Sequence, residues 1–127
     1  MAPELSPASK PPRVMIVEDE VLVRFPIAEA LRAVGLEVIE ASNADEAWSY
    51  LLSRQTVDLI FSDIQMPGSM DGLELTRRVQ ERFGQIIIVL TSGRRSQRST
   101  DHPHFLAKPY RLGNVTALIK SLLERKE

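Results

Sequence analysis

The amino-acid sequence predicts an α/β fold: a doubly wound, five-stranded parallel sheet with helices on both faces. Three observations predict it. Five short apolar runs are separated by segments whose apolar residues recur at helical spacing. The runs are continuous rather than alternating, as in strands buried on both faces. Four of them end on an acid, a hydroxyl or an amine, and open parallel sheets bind their ligands outside the C-terminal strand ends, where strand order reverses.

Each element has its own signal. Val14-Met15-Ile16-Val17 is the first strand, halted by Glu18-Asp19-Glu20. Ile27, Ala30, Leu31 and Val34 stripe the first helix, which Gly35 closes as a residue that tolerates a left-handed cap. Pro26 falls inside this helix and lacks an N–H, so a kink or a late helix start is expected. Val38-Ile39 forms a short second strand. Asn43 with Glu46 three residues on reads as a capping box, opening a helix that carries Ala47, Trp48, Leu51 and Leu52. Residues 57–61 form the third strand, which ends on Ser62-Asp63, and Asp71-Gly72 turns the chain into a helix with Leu73, Leu75 and Val79 in register. The fourth strand, 86–90, is the most apolar and ends on Thr91-Ser92. Phe105-Leu106-Ala107 is a fifth strand ending on Lys108-Pro109, and Leu112, Val115, Leu118, Ile119 and Leu122 stripe the closing helix. Parallel neighbours require right-handed crossovers, so this rhythm places helices on both faces.

Composition narrows the function. With 127 residues, 43% of them hydrophobic and 26% charged, the chain has the make-up of one ordinary domain rather than a disordered segment. A formal charge of -1 gives no global field for nucleic acid or anionic lipid, so neither is expected as a partner. The absence of cysteine excludes disulfide, thiolate-metal and thiol-nucleophile chemistry. Residues 1–12 hold four prolines and no apolar run. They read as a leader on a cytoplasmic protein, neither signal peptide nor membrane span.

The topology gathers Glu18, Asp19, Asp63, Thr91 and Lys108 at one sheet edge. Taken singly, each has an ordinary reading as a turn, a cap or a solvated loop. Together they make a chemical inventory. Carboxylates crowded to about 4 Å repel by about 4 kcal/mol per pair at an effective dielectric near 20, so the cluster favours a cation. Oxygen ligands without His or Cys point to Mg²⁺, with Mn²⁺ as the alternative, and to a phosphate as third party. Phosphoryl transfer needs a nucleophile, neutralised equatorial oxygens and positioning. Asp63 supplies the first, the metal and Lys108 the second, and Thr91 a donor hydroxyl.

These residues fall in four motifs: Val17-Glu18-Asp19-Glu20, Asp63-Ile64-Gln65-Met66-Pro67-Gly68-Ser69-Met70-Asp71-Gly72, Leu90-Thr91-Ser92-Gly93 and Leu106-Ala107-Lys108-Pro109-Tyr110. Over residues 13–125 the chain resembles the receiver domain of two-component response regulators. The resemblance implies a flavodoxin-like sheet of order 2-1-3-4-5, with a receiver spanning 13–127. It implies Asp63 as phosphoacceptor, Asp19 as a direct Mg²⁺ ligand, Glu18 as a water-mediated one and the Gln65 carbonyl as a backbone ligand. Thr91 and Phe105 become the switch pair, and Lys108 precedes a cis proline. The implied phosphodonor is a histidine kinase or histidine phosphotransferase. With leader and receiver filling the chain, no output domain is expected, and a separate downstream protein would receive the signal.

Two features depart from the family pattern. Phe105 replaces the commoner Tyr, leaving the switch to packing alone. Only 16 residues separate Thr91 from Lys108, and those from Gly93 to His104 offer no large apolar face. The fourth helix, between the fourth and fifth strands, is therefore expected to be shortened or missing. Arg94, Arg95 and Arg98 read as a solvated loop before they read as a docking patch. A calcium loop starting at Asp63, with Asp71 and Glu74 as ligands, fails because Gln65 and Pro67 fall at ligand positions and a strand precedes it. Asp71 and Glu74 are better read as the start of the third helix. A phosphatase of the haloacid dehalogenase type lacks its Asp-x-Asp motif here.

Overall fold

In the computed structural model, described for residues 10–93 and 102–126, five parallel strands and four helices are seen, alternating except between the fourth and fifth strands. The strands are β1 (Arg13–Val17), β2 (Glu37–Ala41), β3 (Leu59–Asp63), β4 (Ile87–Ser92) and β5 (Phe105–Ala107); the helices are α1 (Val21–Ala33), α2 (Ala44–Leu52), α3 (Gly72–Arg82) and α4 (Leu112–Lys126). The sheet order is β2-β1-β3-β4-β5. Strand order therefore reverses between β1 and β3, as the doubly wound reading requires.

Alternation along the strands explains the two layers. Val14, Ile16, Leu59, Phe61 and Val89 face one side and pack with Ile27, Ala28 and Leu31 of α1 and Val115, Ile119 and Leu122 of α4. Met15, Val17, Ile60, Ile88 and Leu90 face the other and meet Ala44, Ala47 and Leu51 of α2 and Leu75 and Val79 of α3. Both faces of the central strands are covered, which accounts for their unbroken apolar runs.

Several element details differ from the sequence reading. Pro26 neither delays nor ends α1, which begins at Val21. The carbonyl its missing N–H would have served belongs to Leu22, a residue 86% exposed, where water can satisfy it. The third strand starts at Leu59, two residues late, because Asp58 turns its carboxylate onto the Arg13 N–H at 2.8 Å. Strands β3 and β4 run on through Asp63 and Ser92. Asn43 caps α2 by accepting from the Glu46 N–H at 2.7 Å, but Glu46 reaches back to Ser42, whose N–H and hydroxyl both donate to it. Leu52, Leu73 and Leu112, placed in apolar stripes, lie on exposed edges of their helices, and Val34 lies beyond the end of α1. The shortened or missing fourth helix, and Arg94, Arg95 and Arg98, fall on residues 94–101, outside the described residues. No helix among the described residues is long and apolar enough to cross a membrane.

Candidate functional site

The switch point between β1 and β3 holds the acids. Glu18 follows β1 directly, its N–H donating to the Ala41 carbonyl at 3.0 Å and so extending the β1–β2 ladder by one step. Its carboxylate is buried and accepts from the Glu20 N–H at 3.1 Å. Asp19 is exposed at the lip, and Asp63 ends β3 with only 7% of its surface accessible. Each of the three can bring one carboxylate oxygen within 4.8 Å of the others. Burial foremost pushes the Glu18 carboxyl above its ordinary value; the Glu20 N–H and Lys108 counter this, while Asp63 and an Asp19 hydrogen bond add to it.

Lys108 completes the cluster from the far side of the sheet. The β4–β5 ladder ends with Ser92 opposite Ala107, and the Lys108 N–H donates to the Ser92 carbonyl at 3.1 Å. Its ammonium stands 3.2 Å from Asp63 Oδ2 and 3.5 Å from Glu18 Oε1. Burial pulls its pKa down, but the Asp63 and Glu18 carboxylates outweigh burial and hold it above the ordinary lysine value. The Lys108–Pro109 peptide is cis.

Thr91 lies opposite Asp63 in the β3–β4 ladder, and its hydroxyl is buried without a hydrogen-bond partner among the described residues. A buried hydroxyl left unpaired costs about 1–3 kcal/mol, which a ligand oxygen beside Asp63 would recover by accepting from it. Phe105 sits opposite Leu90, one step before Thr91, and is partly buried against the α2–α3 side of the core. Gln65 lies two residues past Asp63 in the loop leading to α3, partly exposed. All the site residues expected from sequence thus lie at or beside one sheet edge. Asp71 and Glu74 do not join them. Asp71 caps α3 by accepting from the Glu74 N–H, and Glu74 is engaged by Arg77 and Arg78. This removes the calcium-loop alternative.

Two residues at the site were not singled out from sequence. Gly72 donates its N–H to the Ile64 carbonyl at 2.8 Å, and a Cβ there would stand 2.2 Å from the Asp63 carbonyl oxygen. Only glycine lets α3 start this close to the phosphoacceptor candidate. Tyr110 packs edge-on against Phe61 at 5.9 Å, with its hydroxyl buried and unpartnered among the described residues. No local signal marks either role, since both arise where distant segments meet.

The donor set fits a hard divalent cation: three carboxylates in reach of one another, two of them buried, with no imidazole among them. Comparison with known proteins identifies the family. The family model for the response regulator receiver domain matches residues 14–120. The transcriptional regulatory protein PdtaR of Mycobacterium tuberculosis is 31% identical over 93% of this chain, which spans 60% of that protein; ResD of Bacillus subtilis is 32% identical over 89%, the chain spanning 48% of it. The chain thus covers about half of these curated relatives. Among solved structures, a CheY-like receiver domain protein from Methanospirillum hungatei has a TM-score of 0.84 at 21% identity, covering 92% of this chain and 97% of that one. TrrA of Thermotoga maritima, solved in complex with Mg(2+)-BeF, has a TM-score of 0.78 at 27% identity, covering 87% and 98%. The chain belongs to the response regulator receiver domains, the phosphoacceptor modules of two-component signalling.

Proposed function

We propose that Asp63 is the phosphoacceptor of this receiver, and that it accepts a phosphoryl group from a phosphohistidine of a histidine kinase or phosphotransferase in a Mg²⁺-dependent reaction. The observation that carries this reading is the environment of Asp63. It is a buried carboxylate at the end of the central strand β3, held at 3.2 Å by the Lys108 ammonium and within reach of two further acids. An Asp63 oxygen attacks phosphorus; the new O–P bond forms as the P–N bond to the donor imidazole breaks, and the imidazole recovers its proton from solvent. The ammonium, already paired with Asp63, follows the transferred charge onto a phosphoryl oxygen. The Thr91 hydroxyl, opposite Asp63 and unpartnered among the described residues, donates to another.

Asp19 and Asp63 would hold Mg²⁺ directly, Glu18 through water and Gln65 through its backbone carbonyl; Mn²⁺ would serve in its place. When bound, the ion neutralises charge on the phosphoryl oxygens. Thr91 and Phe105 form the switch: drawing the hydroxyl toward the phosphoryl group opens space that the neighbouring ring can fill, biasing a two-state surface read by a downstream protein.

Incubation with acetyl phosphate and Mg²⁺, followed by intact-mass measurement, tests the reading. One added phosphoryl group is expected in the wild type and none in Asp63→Asn. A gain that persists in the variant, or proceeds fully in chelator, overturns it.

A further inference from the structure

We propose that Asp45 is a positioning residue for this site, acting through the loop that joins β3 to α3. The proposal rests on the reading of the site given above. Asp45 is the second residue of α2, on a different crossover from Asp63. Its Oδ1 accepts from the Ser69 hydroxyl at 2.6 Å and its Oδ2 from the Ser69 N–H at 3.1 Å. Gly68 beside it has φ +113°, and a Cβ there would stand 2.9 Å from Asp45 Oδ2. The loop is pressed against this carboxylate as closely as glycine allows.

The loop has firm ends. Ile64 donates its N–H to the Thr91 carbonyl at 3.0 Å and accepts from Gly72, Met70 is buried, and Asp71 caps α3. Between these ends, Pro67, Gly68 and Ser69 are exposed and Gln65 and Met66 partly so, and of the five Met66 packs against the core. Asp45 ties down the C-terminal half of this span at Gly68 and Ser69, and Ser69 is four residues from Gln65, whose carbonyl is the proposed ligand. A ligand atom carried on a loop binds a cation better when the loop is ordered beforehand. Asp45 therefore raises cation affinity without touching the cation. By linkage, Mg²⁺ tightens the Asp45–Ser69 contact by the factor with which that contact tightens Mg²⁺.

Mg²⁺ alone, titrated calorimetrically into the full chain, is the test. Losing contacts of this kind shifts such an equilibrium by about threefold to tenfold, so Asp45→Ala is expected to weaken binding by that much. Asp45→Asn removes the same charge but keeps an acceptor and a donor for Ser69, and is expected to bind within about twofold of wild type. In the wild type, Mg²⁺ is expected to slow hydrogen exchange at the Ser69 amide, and unchanged exchange overturns the linkage. Should Asp45→Asn bind as weakly as Asp45→Ala, the effect is that of a lost negative charge, and the proposal fails; wild-type affinity in Asp45→Ala also overturns it. If Asp45→Ala does not fold, Ser69→Ala carries the test, with weakened binding expected and wild-type binding overturning. Asp19→Asn separates the two readings: undiminished Mg²⁺ binding there sinks the site assignment itself, and the role of Asp45 with it.

Discussion

Substituting Gly72 by alanine should injure the protein at one identifiable place. The added Cβ would lie 2.2 Å from the Asp63 carbonyl oxygen and 2.9 Å from the Ile64 Cα, both backbone atoms that no side-chain rotation can move. Unstrained carbon contacts lie at about 3.5–4.0 Å, so the start of α3 must retreat by more than about 1 Å. That retreat breaks the hydrogen bond from the Gly72 N–H to the Ile64 carbonyl. Overpacking costs about 1–3 kcal/mol and a lost hydrogen bond about 0.5–1.5 kcal/mol. Alanine's better helix propensity returns about 0.5–1 kcal/mol. The net expectation is a loss of about 1–3 kcal/mol. Gly113 is an internal control: it too lies in the first turn of a helix, but a Cβ there meets nothing within 4 Å. Gly113→Ala should be neutral or stabilising by up to about 1 kcal/mol. Urea unfolding of both variants gives the comparison. Because an error of about 1 Å at a reacting group can cost about 10²-fold in rate, phosphorylation of Gly72→Ala by acetyl phosphate should also slow markedly. If the two variants unfold within about 0.5 kcal/mol of one another, the close approach to Asp63 constrains nothing and the reasoning is wrong.

Mg²⁺ should stabilise the folded chain by about 2.7 kcal/mol at one hundred times its dissociation constant, seen as a raised unfolding midpoint; Asp19→Asn should abolish the rise, and an equal rise in the variant would move the site elsewhere. Hydrogen bonds from Arg77 and Arg78 lower the Glu74 carboxyl to about 2 from an ordinary 4.5, so its stabilisation is full above 4.5 and lost as pH falls through about 2. The stability gap between wild type and Glu74→Gln should therefore hold at neutral pH and close across that window, and a gap independent of pH would refute the assignment. Val21, Leu22 and Phe25 are exposed on the first turns of α1, just past the acidic loop, where a protein phosphodonor would approach under the proposed function. Leu22→Glu should slow phosphotransfer from a histidine kinase or phosphotransferase while leaving acetyl phosphate unaffected; equal slowing with both donors would place Leu22 in the chemistry instead.

Much of this architecture was written in periodicity. Continuous runs such as Val14 to Val17 mark strands covered on both faces, and the acids that stop them fall at strand ends, which parallel topology must bring together. That is why the sequence alone assembles Glu18, Asp19, Asp63, Thr91 and Lys108 at one sheet edge. Periodicity specifies a helix face but not its edges, so Leu52, Leu73 and Leu112 were placed too deep. Local capping rules anticipated Asn43 but not the turn of Glu46 onto Ser42, because two acceptable partners lay adjacent. Gly72 against Asp63, Tyr110 against Phe61 and Asp45 against Ser69 were not foreseen for a deeper reason. Each joins segments far apart along the chain, and neither spacing nor propensity carries that information.

The shortness of β5 has a mechanical consequence. This strand has three residues, lies at the rim of the sheet and has a single neighbour, β4. Few ladder bonds hold it, and weakly paired elements open at low free energy. Its C-terminal end is moored to the middle of the sheet by the reach of Lys108 to Asp63, two strands away. Any event that alters the charge on Asp63 changes the pull on that mooring, so the rim can register chemistry at the centre while β4 between them stays in place.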